Sequence, residues 1–150
     1  MIFVTVGTSD FDQLIEKVDE LAPSLDEKVL VQIGNGEYIP QHCEYFRFAP
    51  SLAPYYAQAD LIVAHAGLGT TMEVLQSGKT LISVENVTCI DSHQTDMLGA
   101  LAKYGYLIWC RNLDELSSLF AYAKTATLEP YVAPQCDIPN IIQKFLDDLM

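Results

Sequence analysis

The sequence predicts an α/β fold: a Rossmann-like parallel sheet with helices on both of its faces. Short β-branched runs alternate along the chain with segments whose apolar residues recur at helical spacing. Strands that alternate with helices join by right-handed crossovers into one open parallel sheet. The chain has 150 residues, half of them hydrophobic, which is enough to bury the core that such a sheet needs.

Six short apolar runs have the length and composition of strands that are buried on both faces. The predicted strands are Ile2 to Val6, Lys28 to Ile33, Tyr45 to Phe48, Leu61 to Ala64, Thr80 to Val84 and Tyr106 to Cys110. Glycine follows the first two directly, at Gly7 and in Gly34-Asn35-Gly36. A tight turn is therefore predicted at the end of each of these two strands.

Amphipathic segments between and after the strands predict six helices. They run from Phe11 to Leu21, Leu52 to Gln58, Thr70 to Ser77, His93 to Tyr104, Leu113 to Lys124 and Pro139 to Leu149. Residues typical of helix ends lie where these segments begin and stop. They are Ser9 or Asp10 as the cap of the first helix, Gly78, Gly105, Asn112 as the cap of the fifth helix, and Pro139.

The chain divides into a domain of residues 1–126 and a tail of residues 127–150. Pro130 and Pro134 lie in the stretch from Thr125 to Asp137, which has the composition of a linker to the last helix. The last helix has an apolar face made of Ile138, Ile141, Ile142, Phe145, Leu146 and Leu149. We expect this face to pack on its own domain or on a partner protein, with packing on the domain favoured.

The net charge of −12 argues against a nucleic-acid-binding protein and against adhesion to an anionic membrane, since both need clustered Lys and Arg. No apolar run has the length of a membrane span, and the N-terminus lacks the features of a signal peptide, so a cytosolic protein is expected. The four cysteines form no Cys-x-x-Cys pair, so buried, reduced thiols are expected rather than a zinc site. His42 is interpreted as solvated or structural.

The segment most informative about function is His65-Ala66-Gly67-Leu68-Gly69-Thr70, which lies between a predicted strand and a predicted helix. Such a turn aims unpaired backbone amides at one point, where a phosphate is stabilised, and glycine lets the ligand approach the backbone. Glu73 lies one turn into the helix, where its carboxylate can accept both hydroxyls of a ribose. Alone, the motif is equally consistent with a tight turn capped by Thr70 or Thr71.

Two further turns follow strands and belong at the same edge of the sheet, where open α/β sheets bind ligands. One is Gly7-Thr8-Ser9. The other ends at Gln94, and its polar residues Asn86, Asp91, His93 and Gln94 are suited to reading sugar hydroxyls, or simply to capping the next helix. Three loops that converge on one edge favour a binding site over three unrelated turns.

Two common phosphate-binding motifs are absent from these loops. The dinucleotide fingerprint Gly-x-Gly-x-x-Gly needs a third glycine, which Val74 and its neighbours do not supply. No Gly-Lys-Ser/Thr of a Walker loop occurs either. The missing glycine therefore counts against an NAD-dependent enzyme.

These motifs are similar to the C-terminal, donor-binding (MurG-like) domain of family 28 glycosyltransferases. The resemblance is closer still to the small catalytic subunits of two-component UDP-sugar transferases, which serve N-glycan precursor assembly or bacterial exopolysaccharide and capsule assembly. The resemblance spans roughly Ile2 to Tyr106. Glu85 and Ser92 depart from the family pattern, which commonly has Pro and Asn there, so the identity of the donor sugar stays open.

The resemblance implies a substrate-binding role for matching positions. Gly7, Thr8, Gly67, Leu68, Gly69 and Thr70 would line the diphosphate, and Glu73 would hold the ribose. The backbone around Phe48 and Ala49 would face the uracil, Gln94 with His93 and Asn86 would contact the donor sugar, and His65 belongs to the same set. Binding in the family is independent of metal, so no metal and no other cofactor is expected.

A complete enzyme of this GT-B architecture has two such domains, with the acceptor domain first, and this sequence begins at the donor domain's first strand. The resemblance thus implies a hexosyl- or N-acetylhexosaminyltransferase subunit that is active only with a partner. A membrane-anchored partner subunit would supply the site for a polyprenyl-linked acceptor and the general base. The chain would then lie in the cytoplasm, held at the inner face of the membrane by the partner.

Two alternatives remain at this point. The chain could be a UDP-sugar-binding module without transferase activity of its own. It could also be an unrelated Rossmann-like enzyme that uses another nucleotide.

Overall fold

A computed structural model of the chain describes residues 1–86 and 93–149, and of His93 the backbone only. Within these residues six strands form one sheet. They are β1 (Ile2–Thr5), β2 (Val29–Gln32), β3 (Glu44–Phe46), β4 (Leu61–His65), β5 (Thr80–Val84) and β6 (Ile108–Cys110). The order is β3-β2-β1-β4-β5-β6, and every pairing is parallel. The strand order reverses between β1 and β4, the position at which such sheets open a crevice for ligands.

Helices cover both faces of the sheet, as predicted. They are α1 (Asp12–Leu21), α2 (Ala53–Gln58), α3 (Leu68–Gln76), α4 (His93–Lys103), α5 (Leu116–Ala123) and α6 (Ile138–Asp147). Alternate residues of the strands feed two cores, one packed against α1 and α5 and the other against α2, α3 and α4. At the centre of the second core Phe3 is fully buried and stacks on Tyr55, with ring centroids 5.4 Å apart. Burial of a side chain of this size contributes about 1.5–3 kcal/mol.

The first helix begins later than its predicted cap. Phe11 is the residue before α1 and makes no side-chain cap, so neither Ser9 nor Asp10 caps the helix. The amide of Ser9 donates to the carbonyl of Val6 at 3.1 Å, and the carbonyl of Ser9 accepts from the amide of Asn35 at 3.2 Å. Long-range bonding to the next loop therefore holds this segment as a turn.

Three other boundaries differ from the prediction or refine it. Helix α3 begins at Leu68 instead of Thr70, because Gly67 already has the extended backbone of an N-cap residue. Strand β6 begins after Tyr106, whose amide donates to the carbonyl of Leu101 at 3.1 Å to close the end of α4. Asn112 is a cap as predicted, since its side chain accepts from the amide of Asp114, but the capped turn is a 3₁₀ turn ahead of α5.

The tail beyond Tyr131 does not pack on the domain. Tyr131 still contacts Tyr106 edge to face, at 5.3 Å between ring centroids. All described residues after it are exposed, including the apolar face of α6, where Ile141 is 63% and Phe145 is 62% exposed. The expected packing of this face on its own domain is therefore not observed, and packing on a partner stays a prediction.

No helix in the described part of the chain is long and apolar enough to cross a membrane.

The cysteines differ in exposure. Cys110 is buried, Cys43 is half-buried, and both are free thiols, as expected. Cys136 is also free but lies exposed on the unpacked tail, contrary to the expectation that all are buried. Cys89 lies outside the described residues.

A buried carboxylate organises the loop between β2 and β3. Asp19 of α1 is 1% exposed and accepts hydrogen bonds from the amides of Gln41, His42 and Cys43 and from the hydroxyl of Tyr38. The imidazole of His42 itself is half-exposed, with Nδ1 3.5 Å from the same carboxylate. The sequence left His42 as solvated or structural; its imidazole is solvent-exposed, while its backbone amide belongs to this hydrogen-bonded cluster.

Candidate functional site

The strand ends at the switch point between β1 and β4 open into a large cavity of about 1040 Å³. Seven of the predicted substrate-binding residues line it: Gly7, Thr8, Phe48, Ala49, Gly69, Thr70 and Glu73. A second cavity of about 540 Å³ is lined by four more of them: His65, Gly67, Asn86 and Gln94. Leu68 is 63% exposed and is not among the lining residues of either cavity. The fold therefore brings most of the predicted set to one edge of the sheet.

The start of α3 presents unpaired backbone donors to the larger cavity. The first intrahelical hydrogen bond runs from the amide of Thr71 to the carbonyl of Gly67, at 2.9 Å. The amides of Leu68, Gly69 and Thr70 precede it, and no acceptor for them is found among the described residues. The side chains of Thr70 and Thr71 make no cap either, so the alternative of a capped turn is not supported. Three free amides and the helix dipole together favour an anion here.

Gly69 has no structural reason to be glycine. A Cβ atom built on it would meet nothing within 4 Å, and its backbone does not adopt a positive φ. Gly67 differs, because a Cβ there would lie 2.5 Å from Nε2 of His65. Gly69 therefore keeps open a space that the protein itself does not fill.

The imidazole of His65 lies between the two glycine turns. A Cβ on Gly7 would also approach this ring, at 3.1 Å from its Cε1, and Gly7 has a φ of +63°. Burial lowers the pKa of His65, so the ring is neutral at pH 7. His65 thus shapes the floor of the site without adding a positive charge to it.

Glu73 lies one turn into α3 and lines the larger cavity. The hydroxyl of Tyr56, a buried residue of α2, lies 3.5 Å from Oε2 of Glu73 and donates to it. Burial, together with the nearby carboxylate, raises the pKa of Tyr56, so this hydroxyl stays protonated and remains a donor. The sequence analysis missed Tyr56, because a tyrosine in a short helix has the pattern of an ordinary core residue.

The sequence analysis also missed Gln32, which lines the same cavity from the end of β2. Its side chain is hydrogen-bonded to the loops that follow β1 and β3. The available signal was a carboxamide at the end of the apolar run Val29-Leu30-Val31. A polar residue at the carboxyl end of a buried strand lies where ligands bind.

The second cavity holds polar side chains near the start of α4. The Oε1 atom of Gln94 is buried and has no hydrogen-bond partner among the described residues, while Asn86 is 8% exposed. Glu85 accepts from the hydroxyl of Thr95. Asp91 and Ser92 lie outside the described residues, and the side chain of His93 is not described, so their predicted roles stay predictions.

Charge is sparse in the larger cavity. Its charged side chains are Glu73 and Lys79. The ammonium group of Lys79 donates to the carbonyls of Ala57 and Ala59, at 3.0 and 2.9 Å, and so closes the end of α2. Across residues 1–86 and 93–149, no group of three His, Cys, Asp or Glu side chains is arranged to hold a metal ion. An anion in this cavity would therefore depend on backbone amides.

Comparison with known proteins identifies the family. Residues 1–131 match the glycosyltransferase family 28 C-terminal domain. The chain belongs to this family. Its similarity to the UDP-N-acetylglucosamine transferase subunit ALG13 of Homo sapiens is 35% identity over 124 residues, 73% of this chain and 11% of that protein. The protein of the same name from Yarrowia lipolytica is 28% identical over 136 residues, 81% of this chain and 69% of that protein. The chain thus spans about a tenth of the human relative's length.

Solved structures confirm the fold of this family 28 domain. Acinetobacter baumannii MurG superimposes with a TM-score of 0.67 at 23% identity, over 83% of this chain and 41% of MurG. The solution structure of ALG13 gives a TM-score of 0.64 at 19% identity, over 89% of this chain and 90% of that one. The predicted Rossmann-like sheet, as the C-terminal half of a GT-B architecture, is therefore confirmed.

The arrangement of groups in this family 28 domain is suited to an extended anionic ligand. Free amides at the start of α3 lie at the switch point, Glu73 lies one turn away, and Phe48 and Ala49 form an apolar wall. The free amides suit a diphosphate, the carboxylate of Glu73 suits a diol, and the apolar wall suits a flat ring. The second cavity, which His65 and Gly67 help to line, has the polar lining that a further hydroxylated group needs.

Proposed function

We propose that this chain is the donor-binding subunit of a glycosyltransferase that takes a sugar, N-acetylglucosamine, from a UDP-sugar. The observation that carries the proposal is the start of α3, where Gly69 and Thr70, whose amides are unpaired, and Glu73 line one cavity. The name of the human and yeast relatives, UDP-N-acetylglucosamine transferase subunit, supports the choice of donor. The same name supports a role as one subunit of a larger enzyme.

In this proposal each part of the donor has its own contact. The diphosphate lies between the loop of Gly7 and Thr8 after β1 and the unpaired amides at the start of α3, and the ribose hydroxyls bind Glu73. The uracil lies against Phe48 and Ala49, and the sugar extends over His65 and Gly67 towards the second cavity. There Gln94, His93 and Asn86 contact its hydroxyls.

The chemistry proposed for this chain is orientation of the donor and stabilisation of the leaving group. As the bond from the sugar to the β-phosphate breaks, negative charge grows on the diphosphate. The helix-start amides are already aimed at that position, so they stabilise this charge without reorganisation. Binding proceeds without a metal, and the base that deprotonates the acceptor hydroxyl comes from another subunit.

We further propose that a membrane-anchored partner subunit supplies the polyprenyl-linked acceptor, and that the chain acts in the cytoplasm at the inner face of the membrane. The exposed apolar face of α6 supports a partner, since contiguous apolar surface of this kind marks protein contacts. The acidic net charge argues against direct adhesion of this chain to anionic lipid.

The Glu73→Gln variant tests the donor site. Loss of the carboxylate removes a charge-assisted pair of hydrogen bonds to the ribose, so UDP affinity should fall about tenfold, or about 1.4 kcal/mol. Wild type should also bind UDP more tightly than 2′-deoxy-UDP, and the variant should not distinguish them. Calorimetric titration measures both.

Glu16→Gln is the matched control, since Glu16 is an exposed carboxylate one turn into α1 and lies outside both cavities. It should bind UDP as wild type does. Equal UDP affinity of Glu73→Gln and wild type, or tighter binding of NAD than of UDP, would contradict the proposal.

A transfer assay separates a transferase subunit from a plain binding module. Membranes that contain the partner should transfer N-acetylglucosamine from UDP-N-acetylglucosamine to a polyprenyl-linked acceptor only when this chain is added. If UDP binding is intact and no transfer occurs, the chain is a binding module.

A further inference from the structure

The carboxamide of Gln32 joins two loops that form different sides of the larger cavity. Its Nε2 donates to the carbonyl of Gly7 at 2.7 Å and to the carbonyl of Arg47 at 2.6 Å. Its Oε1 accepts from the hydroxyl of Thr5 at 2.5 Å. Both N–H donors are therefore used, one on each loop, and the third bond fixes which way the amide group points.

The hydroxyl of Thr5 extends this connection to the loop after β1. While it donates to Gln32, it accepts from the amide of Gly7 at 3.1 Å. Gly7 is thus held through its amide by Thr5 and through its carbonyl by Gln32. Because Thr5 and Gln32 are paired in the sheet, the turn at Gly7 is fixed relative to the strands below it.

Because Thr5 and Gln32 are buried, the loss of any of these hydrogen bonds would destabilise the arrangement of the loops. Thr5 is fully buried and Gln32 is 2% exposed, so little of either side chain is accessible to water that could replace a lost partner. An unsatisfied buried donor destabilises the folded protein, because it has given up its hydrogen bond to water without gaining another. A displacement of either loop by more than a hydrogen-bond length would therefore leave part of the carboxamide unpaired.

The loop after β2 is hydrogen-bonded to both the loop after β1 and the loop after β3. The side chain of Asn35 donates to the carbonyl of Thr8 at 2.7 Å, and Nη1 of Arg47 donates to the carbonyl of Gly36 at 2.8 Å. The loops after β1, β2 and β3 thus form one hydrogen-bonded frame, with Gln32 as the residue whose side chain bonds to both outer loops. Gly7 and Thr8 at one side of the frame, and Phe48 and Ala49 at the other, line the cavity.

We propose that Gln32 is a positioning residue, which sets the separation between the loop that receives the diphosphate and the loop that receives the base of a nucleoside diphosphate. This inference rests on the proposed function, since it assigns the two loops to two parts of UDP. A ligand that contacts both loops needs them at a fixed separation. A ligand that contacts one loop tolerates a shift of the other.

The test compares uridine with UDP in Gln32→Leu, which keeps the bulk of the side chain and removes its three hydrogen bonds. The measured quantity is the dissociation constant of uridine divided by that of UDP, obtained by calorimetry on the folded protein. This ratio is the gain in affinity that the diphosphate provides, and it is called the gain below. We expect the uridine affinity to change less than threefold and the gain to fall at least tenfold.

Tyr38→Phe is the control for reduced stability, since it removes one hydrogen bond to the buried Asp19 outside the cavity. It should lower Tm and leave the gain at the wild-type value. Thr5→Val provides a second variant if Gln32→Leu does not fold, and it should lower the gain in the same direction. Thr5→Ser keeps the hydroxyl and should restore the gain.

The outcomes are distinguishable. If wild type binds UDP and both Gln32→Leu and Thr5→Val keep the wild-type gain, the positioning role is wrong and the proposed function stands. If wild type does not bind UDP, both proposals are wrong. If uridine and UDP affinities fall by the same factor in the two variants, Gln32 supports the base loop alone, and the positioning role is again wrong.

Discussion

Replacing Gly69 by alanine is expected to weaken UDP binding ten- to hundredfold while slightly raising the Tm of the unliganded protein. The added methyl group would meet no protein atom within 4 Å, and alanine is favoured over glycine in a helix by about 0.5–1 kcal/mol. In the complex, however, the same methyl group would occupy the space next to the free amides at the start of α3. A loss of ten- to hundredfold corresponds to about 1.4–2.8 kcal/mol.

Gly99→Ala is the matched control, because Gly99 also lies within a helix, α4, and has room for a methyl group. A Cβ there would lie 3.6 Å from the ring of Trp109, an ordinary contact. This variant should raise Tm without changing UDP affinity. Thermal unfolding and calorimetric titration of both variants measure the two effects. If Gly69→Ala binds UDP as wild type does, the space beside Gly69 is not the phosphate position.

Removing the buried carboxylate of Asp19 is expected to lower the free energy of unfolding by about 3–5 kcal/mol, because hydrogen bonds to a charged group contribute about 1.5–3 kcal/mol each and several are lost together. In Asp19→Ala, three backbone amides of the loop after β2 and the hydroxyl of Tyr38 lose their acceptor at once. Denaturant unfolding at pH 7 measures this loss. Tyr38→Phe removes one of these bonds and should lose about 1 kcal/mol.

The same carboxylate predicts how stability depends on pH. Burial acts to raise the pKa of Asp19, but hydrogen bonds from the amides of Gln41 and His42 outweigh it and leave the pKa below the ordinary value of 3.8. A carboxyl whose pKa is lower in the folded than in the unfolded state stabilises the folded protein at pH values above the unfolded-state pKa. This stabilisation is lost as the pH falls through the folded-state pKa. Wild type should therefore lose stability below about pH 4, and more steeply than Asp19→Asn. Equal pH dependence of the two would contradict this assignment.

The sheet was predictable because its determinants are local and general. Apolar β-branched runs such as Leu61 to Ala64 are buried on both faces in any parallel sheet, and their carboxyl ends must share an edge. For the same reason the convergence of the turns at Gly7 and Gly67 could be expected before any contact was known. Glu73 followed from its distance along a helix whose start was already indicated.

The rest of the site depends on contacts between residues far apart in the chain. Gln32 gains its importance from carbonyls of Gly7 and Arg47, and Tyr56 from a carboxylate on another helix. Neither partner is visible in the local pattern, in which glutamine ends a strand and tyrosine fills an apolar position. Ser9 was predicted to cap α1 and does not, for the same reason. Its carbonyl accepts a long-range hydrogen bond from the amide of Asn35, which holds the segment as a turn.

By itself the sequence determined the order and alternation of strands and helices and the edge at which their turns meet, because hydrophobic periodicity and glycine geometry act over a few residues. Only the tertiary structure decided which side chains hold those turns in register and which faces stay uncovered. Gln32 and Asp19 each bind several groups from distant loops, while the apolar face of α6 finds no surface of its own domain to cover it. Such outcomes depend on the sum of long-range contacts, which no local pattern contains.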